Sequence, residues 1–147
     1  MFKHVLIPTD GSAVARKAVK AGVALARELG AKVTAYYALD VIQPYAFGDG
    51  YILDTGTLLG MDRRAKELGQ KYLGEVEKAA KAAGVPCQVL LTKPETPADG
   101  IIAAAKSRKC DVIFMASHGR GGFASLVLGS VTQKVLARSK IPVLVYR

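Results

Sequence analysis

Apolar runs and helix-period segments alternate along this chain almost without interruption. FKHVLI (Phe2–Ile7) is a short, β-branched-rich run that predicts a strand. Val14, Ala18, Ala21, Leu25 and Leu29 then recur at helical spacing, with Ser12 placed to cap the start and Gly30 to stop the helix. AKVTAYYAL predicts a second strand, and KELGQKYLGEVEKAAKAA a second helix with Leu68, Tyr72, Val76 and Ala79 on one face, ending at Gly84. PCQVLL predicts a third strand. Thr96-Pro97-Ala98-Asp99 reads as a capping box with proline at the first helical position, opening a helix through Ile101, Ile102 and Ala105. CDVIFMA is the most apolar strand, a helix is expected from about Phe123 to Ser139, and IPVLVY supplies a fifth strand.

Strands alternating with helices argue for a parallel sheet covered on both faces, because every parallel crossover must lie on a face. No internal repeat and no linker interrupts the pattern, so one domain over residues 1–147 is expected. The one irregular region is Asp40–Gly60, rich in Gly and Tyr. It covers a ligand or partner, or it packs over the core.

Composition narrows the class. With 50% hydrophobic and 22% charged residues the chain reads as soluble and globular rather than disordered. No apolar run approaches the roughly 20 residues of a membrane span, and MFKHVLIPTDGS lacks the features of a signal peptide, so a cytoplasmic protein without a membrane partner is expected. Cys87 and Cys110 fit no metal or redox spacing and are expected as reduced thiols. The net charge of +9 raises the question of nucleic acid. The basic residues recur singly on presumed polar helix faces, with no aromatic interleaving and no Trp, so they read as solvated surface.

Candidate chemistry gathers at two strand ends, PTDGS (Pro8–Ser12) and ASHG (Ala116–Gly119). The second of these opens the glycine-rich stretch MASHGRGGFASLVLGSVTQ. Ligands of open α/β sheets bind beyond the carboxyl ends of the strands where strand order reverses, and a helix N-terminus there favours a phosphate. Gly119, Gly121 and Ala124 nearly spell the dinucleotide fingerprint, but the strand that follows offers no acid for a ribose. No Gly-Lys-Ser/Thr is present for a P-loop. Asp10, Ser117 and His118 invite a hydrolase reading, but their order is wrong and Met115 replaces the first glycine of Gly-x-Ser-x-Gly. His118 reads as a loop residue that braces the turn or touches phosphate, and His4 as a core or surface residue.

The spacing Ala116-x-x-Gly119-x9-Gly129-Ser130, together with VLIPTDGS, DVIFMASHGRGG, LGSVTQKVL and IPVLVYR, resembles the universal stress protein family and its signature G-x-x-G-x9-G-[ST]. The resemblance covers the whole chain. It implies an α/β, Rossmann-like fold of the adenine nucleotide alpha hydrolase type, with a single open five-stranded parallel sheet in the order 3-2-1-4-5 and helices on both faces. It further implies ATP (or AMP/ADP), with Mg, as ligand. Pro8, Thr9 and Asp10 would line the ribose and metal side, with Asp10 toward the metal. Ala38 would offer backbone to the adenine, and Met115, Ala116, His118 and Gly119 would let backbone approach ribose and phosphates. Gly129, Ser130, Val131 and Thr132 would supply N–H and hydroxyl donors to the phosphates. Ala116 stands where the signature has glycine, and its methyl group either crowds the sugar or is harmless if its backbone angles are ordinary. Three functional readings follow: a nucleotide-binding stress-response module whose occupancy biases shape or partner choice, a slow Mg-dependent ATPase, and a nucleotide-free dimeric scaffold. The apolar closing strand, with Pro142 as its one edge protection, points to a homodimer joined through that strand.

Overall fold

The computed structural model describes residues 1–41, 54–120 and 127–147. Its elements run in strict alternation: β1 (His4–Pro8), α1 (Ala13–Leu29), β2 (Lys32–Ala38), α2 (Thr55–Ala82), β3 (Cys87–Thr92), α3 (Pro97–Ser107), β4 (Val112–Ala116), α4 (Ser130–Arg138) and β5 (Val143–Tyr146). All pairings are parallel, and the sheet order is β3-β2-β1-β4-β5, as expected. Strand order therefore reverses beside β1, which has β2 on one side and β4 on the other.

The two-residue period of the strands sorts their side chains into two cores. Val5, Ile7, Val112, Phe114 and Ala116 point to the layer of α1 and α2. Leu6, Ile113 and Met115 point to that of α3 and α4. The central strands β1 and β4 are buried on both faces, which explains their near-continuous apolar sequence. Two helices are capped as the sequence directs, α1 at both ends and α3 at its start. Ser12 accepts from Ala15 N–H, Thr96 accepts from Asp99 N–H, and Gly30 ends α1 in the left-handed conformation with φ 62°.

Three expectations need correction. Helix α2 starts at Thr55, eleven residues before the expected Lys66, because Asp54 accepts from the Thr57 N–H and nucleates a turn inside the region read as irregular. The rest of that region, residues 42–53, lies outside the described residues. The buried face of α2 is Gly69, Leu73, Val76 and Ala80, one position on from the expected stripe at three of its four places, and Leu68 is exposed. A Cβ at Gly69 would come within 2.9 Å of both Tyr37 and Leu91, so the helix lies closest to the sheet where an apolar scan sees nothing. Finally, α4 starts at Ser130 rather than near Phe123. Val127–Gly129 are not helical, and residues 121–126 lie outside the described set.

His4 belongs to the core. Its Nε2 lies 2.8 Å from the Thr34 hydroxyl at the amino end of the sheet. Both cysteines are free, and burial pushes the Cys110 thiol up to about 11, so it is inert at neutral pH. No described helix is long and apolar enough to cross a membrane.

Burial lowers the His4 pKa, helped by Lys32 and Arg108 and opposed by Asp111. Its neutral form is therefore the folded form, and the unfolded chain takes up the proton first. The stability contributed by neutral His4 is fully present above about pH 6.5 and is lost as pH falls from there through the lowered folded pKa. Chemical denaturation between pH 7 and 5 should show this loss, and His4→Gln, which keeps a hydrogen-bonding side chain without a charge change, should flatten it. An equal decline in the variant would assign the effect to other groups.

Candidate functional site

The carboxyl ends of β1, β2 and β4 are Pro8, Ala38 and Ala116, and all three border one cavity of about 340 Å³. That volume lies within the range of small-molecule sites. The cavity opens where strand order reverses, the position at which doubly wound sheets bind ligands.

Each wall has a distinct chemistry. One is apolar: Tyr36 and Ala38 of β2 lie on the side of Pro97 and Ile101 of α3, and Tyr37, whose side chain belongs to the opposite core, borders the cavity beside them. Tyr36 is fully buried and its hydroxyl lies 2.8 Å from the Thr92 hydroxyl. Burial raises its pKa, so the phenol stays neutral. Thr9 and Asp10 form the rim after β1, and Asp40 stands just beyond β2. Met115, Ala116, His118, Gly119 and Arg120 form the wall that leaves β4.

The remaining wall is the start of α4, with Gly129, Ser130, Val131 and Thr132. Ser12, Asp54 and Thr96 each cap their helix with a side chain, whereas Gly129 caps α4 with none. The first intrahelical bond of α4 runs from Gln133 N–H to the Gly129 carbonyl. The N–H groups of Ser130, Val131 and Thr132 therefore precede the helical ladder and border the cavity, a positive helix end suited to an anion. Gly129 is held by its own N–H, which donates to the Ser117 carbonyl at 2.8 Å. A Cβ there would lie 2.9 Å from His118 Cα, so glycine is required by the neighbouring backbone as well as by any ligand.

All twelve residues singled out in the sequence border this cavity. One is used otherwise than expected, and His118 takes the first of its two expected roles. The Thr132 hydroxyl is buried and donates to the Ala116 carbonyl at 3.0 Å, so its proton is engaged within the chain. His118 Nδ1 lies 3.0 Å from the Ser117 hydroxyl, which braces the turn after β4. Sequence reasoning missed Tyr36, Tyr37, Asp40, Ile101 and Arg120. Arg120 carried a signal, since it is a lone cation set between glycines directly after a strand end.

Fold and cavity together define an open α/β protein of the doubly wound class whose pocket sits at the switch point and ends on a bare helix N-terminus. The family model described as "Universal stress protein family" matches residues 1–147, and the chain belongs to that family. A universal stress protein of Thermus aquaticus is 33% identical over the full length of both chains. Among solved structures, a universal stress protein in complex with cAMP is 24% identical, with 99% of this chain and 97% of that one covered and a TM-score of 0.68. One from Archaeoglobus fulgidus in complex with dAMP is 19% identical, with coverage of 100% and 98% and a TM-score of 0.64.

Ala116 ends β4 in regular strand conformation, and among the described residues Lys109 is the sole non-glycine with positive φ. Alanine there is unstrained. Ala116→Gly should therefore destabilise the fold by about 0.5–1 kcal/mol, through the added freedom of the unfolded chain. Thermal unfolding measures it, and a more stable variant would show that the methyl group is strained.

Proposed function

We propose that this protein is an ATP-binding module in which occupancy of the cavity biases conformation or partner choice, with AMP and ADP as related ligands. The carrying observation is the first turn of α4, left without a side-chain cap and bordering a cavity whose other end is apolar and aromatic. A nucleotide has the same polarity, a flat apolar base at one end and phosphates at the other. The adenine would lie toward Tyr36, Ala38 and Ile101, the ribose toward Pro8, Thr9 and Ala116, and the phosphates toward Gly129, Ser130, Val131 and Thr132. The cAMP and dAMP complexes of the two structural relatives support an adenine nucleotide.

Magnesium would arrive with the nucleotide. No group of three or more His, Cys, Asp or Glu side chains gathers among the described residues, so such an ion would be held chiefly by phosphate oxygens and water, with Asp10 the neighbouring carboxylate. In this reading the site's groups bind and orient the nucleotide. Hydrolysis, where it occurs, is slow in this reading, and rapid turnover by purified protein would overturn it.

Ser130→Glu is the sharpest test. A carboxylate in the first turn suits the helix, so the fold should hold, but it stands beside the expected phosphates. The like charge should weaken ATP binding about 100-fold or more by calorimetry, while adenosine affinity changes little. Equal ATP affinity in wild type and variant would remove the phosphate cradle.

The partner we propose is a second copy of the chain. β5 pairs with β4 alone among the described strands and forms one edge of the sheet. Leu144 on β5 and Leu136 on α4 are both exposed. Pairing about a two-fold axis would satisfy the open ladder of β5 and cover such apolar residues. Light scattering should report a dimer at micromolar concentration, and Leu144→Lys, which brings like charges together, should shift it to monomer. A dimeric folded variant would place the interface elsewhere.

A further inference from the structure

Asp10, which the family resemblance would set toward a metal ion, has main-chain partners of its own. Both of its carboxylate oxygens accept main-chain N–H groups: Oδ1 from Ser12 at 2.9 Å and Oδ2 from Arg120 at 3.0 Å. The first bond fixes the turn into α1. The second reaches the loop after β4, 110 residues on. Arg120 completes the grip, since its Nε donates to the Asp10 carbonyl at 2.8 Å and its guanidinium carbon lies 5.5 Å from the centre of the Tyr72 ring on α2. Gly119 makes the approach possible, because a Cβ on it would collide with Asp10 Oδ2.

We propose that Asp10 is a positioning residue that clamps the loop after β4 against the turn after β1, with Gly119 required to admit the clamp and Arg120 to close it. This rests on the nucleotide-binding reading and deepens it. The two strand ends bordering the cavity belong to separate crossovers, and among the described residues Asp10 and Arg120 tie them directly by hydrogen bonds. Ser117 and Gly129 are also tied to each other, by the Gly129 N–H to Ser117 carbonyl bond. With both ties in place, the loop wall and the start of α4 are held at a fixed separation from the β1 rim before ligand arrives. Carboxylate-to-N–H bonds are stronger than neutral ones, so an exposed tie of this kind can still set a loop. The Arg120 side chain in solvent would do little alone.

The test compares wild type, Asp10→Ala, Gly119→Ala and the double variant. Calorimetry is run with AMP in EDTA and with ATP in magnesium. Each single variant should lose about tenfold in affinity for both ligands, by the same factor with and without the ion, because what is lost is preorganisation. The double variant should be no worse than either single one, since both remove one clamp. The Arg120 amide should exchange with solvent at least about tenfold faster in Asp10→Ala, because the N–H has lost its acceptor. Loss confined to the magnesium titration would make Asp10 a metal ligand and overturn the clamp, as would additive losses in the double variant. A wild type that binds neither nucleotide would defeat the functional reading, and amide exchange at Arg120 would then decide the clamp by itself.

Discussion

An α-helix begins with N–H groups that its own ladder cannot reach, and the start of α4 leaves them without a side chain to accept them. Much of the site follows from that. The other three helices close their first turns with Ser12, Asp54 and Thr96. Glycine at 129 gives up that cap, and its missing side chain also lets α4 begin against the backbone of His118. The donors thus face the cavity at the carboxyl ends of β1 and β4 instead of being spent within the chain.

The sheet decides where those donors stand. Because β1 and β4 are neighbours whose crossovers leave in opposite directions, to β2 and to β5, the space between them is left uncovered at the carboxyl end. The two cores hold this frame rigid, and among the described residues no buried side-chain polar atom lacks a partner. The rim above them is polar and tied across by Asp10 and Arg120. The frame is thus set by hydrophobic burial, and the rim by hydrogen bonds that solvent can reach. The second kind is weaker, and it is where a ligand can act.

The alternation of strands and helices, the caps at Ser12, Thr96 and Gly30, and the resemblance that carried the strand order were all legible in the sequence. Each of these rests on residues within a few positions of one another, where a period of two or 3.6 and a capping side chain act locally. The twelve residues that the family resemblance pointed to lie at or just after strand ends or at the start of a helix, and all of them border the cavity. Contacts between distant segments arise only on folding. The buried face of α2 starts at Gly69, where Tyr37 and Leu91 leave no room for a side chain, which no hydropathy pattern records. The start of α4 falls at Ser130 because Gly129 is held to Ser117, and the Thr132 hydroxyl donates to the Ala116 carbonyl. Asp10 is claimed by Arg120 from the opposite lip, a partner separated by most of the chain and brought near by the reversal of strand order beside β1.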